Sequence, residues 1–438
     1  MSAAAEAVGT PKIGAKGVFA AVLGNGFEFF DFTVYATFLD LIGQAFYPSD
    51  NPFVSDLASA ATFGVGFIAR PLGGALIGAY GDKAGRRPAM TLSIGLMAVG
   101  TAIIAVTPGY GSIGVMAPIL LIVGRLLQGF AVGGEVGPAT MFLIEAAPPG
   151  RRMLFASWQL ASQNLGVLVS GVIGVLLALA LSKASYSDWG WRVPFAFGVL
   201  VAPVGIYIRS RLPETLDRSD KTHARGTPPI LLTVLRSYWR RIMLGVALVA
   251  GSTITLYFLL NMTPYAIRTL GLPPSSAMLG TVTLGVIGPL GALTGGLLAD
   301  RFGLRTLAVA PRIVFMLVLF PVMGFLVGHA SAAAFVFSIA ILCFLHLMGG
   351  SASVTLIPLI FPPAFRATGL AISYSLGIAI FGGTATYVVT WLVGVTGDPL
   401  ASTYYVMAAN VIILLSIWAV HDVDLDRGEW PLPLDRQV

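Results

Sequence analysis

Twelve apolar runs dominate this chain, each close to the ~20 residues that a helix needs to cross the hydrocarbon core of a bilayer. They lie at about 18–46, 55–80, 88–107, 114–146, 153–181, 192–210, 242–268, 275–299, 307–327, 331–360, 367–394 and 401–420. Composition agrees. Of 438 residues, 56% are hydrophobic and 11% charged, against about 25% charged in a soluble domain, and the mean hydropathy is +0.85. So few charges cannot cover a wet surface, so the chain is expected to be an all-α integral membrane protein with lipid as its main contact. The 52 glycines suit membrane helices that pack backbone to backbone.

The runs divide six and six. The longest polar stretch, RSRLPETLDRSDKTHARGTPPILLTVLRSYWRR at 209–241, follows the sixth run. GAYGDKAGRR at 78–87 then recurs as GLLADRFGLR at 296–305, between the second and third runs of each half. Gly78, Asp82, Gly85 and Arg87 match Gly296, Asp300, Gly303 and Arg305. Two repeats about a central loop are the layout of a secondary transporter, with its site between the halves near the midplane. The expected organisation is a tail at 1–17, a six-helix bundle at 18–211, a central loop at 212–241, a second bundle at 242–421 and a tail at 422–438.

Lysine and arginine set the orientation. The loops and tails on one side hold Lys12, Lys16, Lys83, Arg86, Arg87, Arg151, Arg152, the cluster from Arg209 to Arg241, Arg301, Arg305, Arg312, Arg366, Arg427 and Arg436. Those on the other side hold Lys183, Arg192 and Arg268. Both termini are therefore expected in the cytoplasm. The net charge of +6 follows from this topology and calls for no nucleic-acid partner. The first residues carry no short apolar core with a cleavage site, so they read as a cytoplasmic tail. The one cysteine, Cys343, lies within a run and can form no internal disulfide. No P-loop and no metal-spaced His/Cys/Asp cluster occurs, so neither an enzyme nor a cofactor is expected.

Ionisable residues inside a membrane span are costly and point to function. Glu28 and Asp31, three apart in GNGFEFFDFTVYATF (24–38), share a helix face. Arg125 lies on the fourth run at a comparable depth, with Glu135 roughly 15 Å further along that helix. An arginine keeps its charge in a membrane cavity and favours an ionised carboxylate nearby. An anionic substrate that takes the arginine for itself leaves the carboxylate to bind a proton, which is the linkage of a symporter. Asp31, Glu28, Arg125 and Glu135 are thus the proton-coupling candidates, while Arg70 in ARPLGG reads as structural. Donors that suit a carboxylate nominate Asn25, Arg125, Gln159, Gln163, Asn164, Tyr257, Asn261, His346 and Tyr374 for substrate. In the repeated loops and beside them, Gly78, Asp82, Arg86, Arg87, Glu145, Asp300, Arg301 and Arg366 are candidate gating residues, an Asp there being able to cap a helix N-terminus.

GAYGDKAGRR is similar to the loop signature of the major facilitator superfamily. GNGFEFFDF, RPLGG (70–74), GRLLQGFAVGGE (124–135), WGWRVPF (189–195), RSRLPET (209–215) and IFGG (380–383) resemble its metabolite:proton symporter branch. FYPSDNPF (46–53) with GFIARPLGGALIGAYGDKAGRR (66–87) resembles the citrate and tricarballylate carriers. The resemblance implies a twelve-helix fold of two pseudo-symmetric bundles in a bacterial inner membrane. It implies proton symport of a small organic acid, citrate-like by this reading; a monomer is expected. Asp31 and Arg125 match an Asp–Arg couple of sugar porters in the superfamily. Relatives also carry zwitterions such as proline and betaine, or shikimate-type acids; an exporter, antiporter or non-transporting sensor on the same fold are the further readings. Leu304 stands where the first loop has Arg86, and LIPLIFPPAFR (356–366) has Leu359 and Ile360 where many relatives have an acid. Both departures point to a gating network that is fuller in the first half than in the second.

Overall fold

The computed structural model describes residues 15–84, 86–133, 150–210, 230–362 and 365–420, with 143, 147 and 148. Among these, the regular structure is entirely helical and makes twelve crossings. Span 1 is Ala15–Thr37 continued by Leu39–Phe46; span 2 is Pro52–Ile68 with Arg70–Ala84; spans 3 and 4 are Arg86–Val106 and Met116–Val132. Spans 5 and 6 are Arg152–Ala180 and Arg192–Ser210, and the short helix Ile230–Ser237 precedes the second half. Span 7 is Trp239–Leu260 with Met262–Arg268; spans 8, 9 and 10 are Pro274–Phe302, Leu304–Gly328 and Ala332–Leu359. Span 11 runs from Arg366–Gly377 through a π-turn at Ile378–Gly382 into Gly383–Thr396, and span 12 is Ala401–Ala419. Eight of these runs are long and apolar enough to cross a membrane by length and composition alone. Below, the near side is the one on which span 1 begins and the far side the one on which it ends.

Two of the interruptions have a plain cause. Pro71 has no N–H to donate to Phe67, and Pro264 none to Leu260. Span 2 therefore breaks at Ala69, whose N–H turns to the Phe67 carbonyl, and span 7 breaks at Asn261. The repeated loop of the second half turns at Gly303, whose φ of 90° would be strained with any side chain. One reading is corrected here. Arg312, counted above with the loop cations, sits inside span 9 with 1% of its surface exposed.

Apolar contact with lipid is as favourable as contact between helices, so membrane helices associate through close packing and hydrogen bonds. Small residues make that possible here. Spans 5 and 8 lie together along their length: side chains at Gly285, Gly288 and Gly296 would meet Leu168, Asn164 and Met153. Span 2 crosses span 11 at mid-depth, where a side chain on Gly64 would collide with the Gly383 backbone. These two crossings join the halves. Large apolar side chains such as Leu176, Leu200 and Leu317 remain 60–75% exposed on the outside of the bundle, a surface suited to lipid.

Candidate substrate and proton site

Where the halves meet at mid-depth they enclose a void of about 50 Å³, room for one or two waters. The first half contributes Phe29, Arg70, Leu160 and Gln163; the second contributes Ser252, Thr253, Tyr257, His346 and Tyr374, with apolar neighbours. Among the described residues, no carboxylate lines it. Arg70 was read above as structural, but its guanidinium faces this void. It is held between the rings of Phe32 (4.5 Å) and Phe67 (4.3 Å), and cation–π contact of this kind fixes a buried cation without neutralising it. The Tyr257 and Tyr374 hydroxyls stand beside it, and Tyr374 also stands beside Gln163. Span 2 places Arg70 there because its break at Ala69 falls at this depth.

Asp31 does not face the void. It points into the first bundle, where Thr101 on span 3 donates to its Oδ2 at 2.6 Å. Its Oδ1 lies against span 6, at a spot that only Gly198 leaves open, and has no partner. Arg125 makes no direct bond to it. The two are joined in series: Arg125 Nη1 donates to Gln128 Oε1 (2.8 Å), Gln128 Nε2 to Thr101 Oγ1 (2.9 Å), and Thr101 to Asp31. Arg125 is fully buried, with its guanidinium 4.6–4.9 Å from the ring centres of Phe32, Tyr35 and Phe63 and a bond to the Phe63 carbonyl. Phe32 therefore lies against both Arg70, at the void, and Arg125, at the head of the chain to Asp31.

The other nominated residues separate by depth. Gln163, Tyr257, His346 and Tyr374 line the void. Asn25 and Gln159 are spent on each other: Gln159 Nε2 donates to Asn25 Oδ1 at 3.0 Å, and Asn25 donates to the Gln159 carbonyl and to Ser162. They tie span 1 to span 5. Asn164 donates to Leu160 O and packs beneath Gly288. Asn261, one turn above Tyr257, opens instead on a far-side vestibule of about 520 Å³ between spans 1, 2, 7 and 11. There Asp56 of the first half forms an ion pair with Arg268 of the second.

Among the described gating candidates, Asp300 contacts the opposite half. Its carboxylate accepts from the Met153 N–H at 2.9 Å and the Leu154 N–H at 3.0 Å, capping the first turn of span 5. Arg301 is exposed over Phe302. Gly78 lies on the helix Arg70–Ala84. Glu135 and Glu145, and the side chains of Glu28, Asp82, Arg86, Arg87 and Arg366, lie outside the described residues.

Sequence reasoning did not nominate Arg70, Arg312, Ser252 or Thr253. Arg312 donates to Ser252 (2.6 Å), to Ser353 (3.1 Å) and to Asn410 (3.0 Å), binding spans 7, 9, 10 and 12 together.

The family model for sugar (and other) transporters matches residues 17–227 and 217–423. The chain belongs to this family of the major facilitator superfamily. The family's two matches follow the two halves. A citrate–proton symporter of Klebsiella pneumoniae is 34% identical over 412 residues, 93% of this chain and 91% of that one. A proline/betaine transporter of Escherichia coli K12 is 31% identical over 417 residues, 92% and 82% of the two chains. Among solved structures, a D-xylose–proton symporter superposes with a TM-score of 0.71 over 92% of this chain and 97% of its own, at 19% identity. A partially occluded, inward-open form of the xylose transporter of E. coli gives 0.72. Both structures carry the major facilitator fold that the twelve spans display.

Proposed function

We propose that this transporter imports a small organic acid together with protons, by alternating access, and that the acid is a citrate-like di- or tricarboxylate. The observation that carries the reading is the void itself: Arg70, flanked by Tyr257 and Tyr374, faces it, and no described carboxylate does. Such a site holds a carboxylate by a charged donor and two hydroxyls. The citrate–proton symporters among the relatives support it.

In this reading the substrate meets Arg70, and Phe32 relays the change to Arg125 by packing. The Arg125–Gln128–Thr101 chain then alters the support given to Asp31, whose free Oδ1 is the atom that takes the proton. Glu28 and Glu135 remain candidate partners in that step. The ion pair of Asp56 and Arg268 closes the far side, and Asp300 on span 5 closes the near side; Asp82, Arg86, Arg87, Glu145 and Arg366 would serve the matching near-side contact of the first half. A bacterial inner membrane, cytoplasmic termini, the two-bundle division at 212–241 and a monomer complete the proposal.

Proline/betaine transporters at 31% identity favour a second reading, a zwitterion as cargo. Purified protein in liposomes with an inward proton gradient distinguishes them, with radiolabelled citrate, 2-oxoglutarate, shikimate and proline as cargo. Accumulation of citrate that an uncoupler abolishes supports the proposal. Accumulation of proline alone would replace it with the second reading.

A further inference from the structure

Arg312 is a buried cation with no acid in its own half to balance it. From residue 242 to residue 420 the sequence contains two acidic residues, Asp300 and Asp398. Asp300 is engaged with span 5 on the near side, and Asp398 lies in the far-side turn before span 12. The bonds that hold Arg312 all go to neutral oxygens: Ser252, Ser353 and the Asn410 amide. A charge taken out of water into such a site is costly unless an opposite charge comes to it.

One side chain carries this charge to the central void, and a second donor stands on the same wall. Ser252 lines the void. Its oxygen accepts from Arg312 at 2.6 Å, which polarises the hydroxyl and leaves its hydrogen to donate elsewhere. His346 lines the same wall, 4% exposed, with Nδ1 unpartnered. The wall opposite, on the first half, is the one that presents Arg70. Each half thus offers the void a set of donors backed by one arginine.

We propose that Ser252 and His346, backed by Arg312, form a second carboxylate subsite, so that the cargo carries at least two acidic groups and bridges the halves. In the wider void that forms as the halves part, one carboxylate meets Arg70 with Tyr257 and Tyr374; the other accepts from the Ser252 hydroxyl and the His346 ring, and its charge answers that of Arg312. Arg312 acts here as a positioning residue, since it reaches the cargo through Ser252. A molecule with one carboxylate fills only the Arg70 subsite, with Tyr257 and Tyr374, and leaves Ser252 and His346 without a partner. The inference rests on the di- or tricarboxylate reading above and deepens it by naming the residues that meet the second acidic group, which a monoanion or a zwitterion lacks.

The test is competition against labelled citrate in proteoliposome counterflow, where no proton gradient enters. Tricarballylate, succinate, citrate monoamide and isobutyrate serve as competitors, with Ser252→Ala, Arg312→Gln and Arg312→Lys as variants. In the unmodified protein the di- and triacids compete and isobutyrate does not. Loss of a hydrogen bond to a charged group in Ser252→Ala or Arg312→Gln raises the concentration of tricarballylate needed by about 10- to 100-fold. It narrows the gap to isobutyrate, and Arg312→Lys restores part of it. A purely structural Arg312 would lower the amount of folded protein without moving that ratio. The inference is overturned if isobutyrate competes as well as succinate, or if folded Ser252→Ala and Arg312→Gln keep the original selectivity. Should no acid be transported at all, the function reading fails. The subsite is then judged by thermal shift of the purified protein: stabilisation by tricarballylate, lost in Ser252→Ala, supports it, and equal shifts in both proteins overturn it.

Discussion

Removing the Asp300 carboxylate should open the near side of the protein. In the structure Asp300 belongs to the second half but caps the first turn of span 5 in the first, with two backbone N–H bonds of 2.9 and 3.0 Å. Loss of an N-cap acceptor costs about 0.5–2 kcal/mol. Loss of a negative charge at a helix N-terminus costs about 0.3–1 kcal/mol more. Because the contact joins the halves, this cost falls on the closed arrangement: once the near side opens, water serves the same N–H groups. An Asp300→Ala variant should therefore shift the balance toward the near-side-open form by about 1–3 kcal/mol, or about 5- to 150-fold. The sole native cysteine, Cys343, is buried and can be replaced by serine. A cysteine at Leu160, which lines the void, then reports exposure through its rate of reaction with an impermeant maleimide applied from the near side. Asp300→Asn, which keeps an acceptor but not the charge, should fall between. Equal labelling rates in Asp300→Ala and its parent would refute the assignment of this carboxylate as a lock between the halves.

Three further outcomes are expected. Asp31→Asn should retain citrate counterflow but lose proton-driven accumulation, because Thr101 can still donate to the amide oxygen while no group remains to take a proton on Oδ1; a variant that still concentrates citrate would rule out Asp31 as the proton site. Gly64→Val should stop transport with little change in folded yield, since the side chain would strike the Gly383 backbone where spans 2 and 11 cross, and overpacking of this kind costs about 1–3 kcal/mol; normal turnover would mean that the two spans need not meet there. Arg268→Ala should free the far side by breaking the pair with Asp56, raising the reaction of a cysteine at Asn261 with an external reagent, and an unchanged rate would remove that pair from the gate.

The fold was legible because its signal is long. Twelve runs of apolar residues, a central polar stretch and a repeated loop each span many residues, and a one-residue error moves none of them. The site was legible only in part, because it depends on depth and on which way a side chain turns. Gln159 and Gln163 share a face of span 5, yet one helical turn separates a structural amide bonded to Asn25 from one that lines the void. Tyr257 and Asn261 have the same spacing, and there the turn divides the central void from the far vestibule. Asp31 and Arg125 were matched by depth, but Gln128 and Thr101 stand between them, neither marked by charge or motif. Arg312 carried a readable sign: an arginine eight residues into an apolar helix, in a half with two acids.

The central claim is that an organic acid and protons enter together. The direct measurement uses proteoliposomes loaded with a pH-sensitive dye at equal pH on both sides, with citrate added outside. The account predicts that the lumen acidifies as labelled citrate enters, and that Asp31→Asn uncouples the two signals. Citrate entry with no acidification, or with alkalinisation of the lumen, would contradict it.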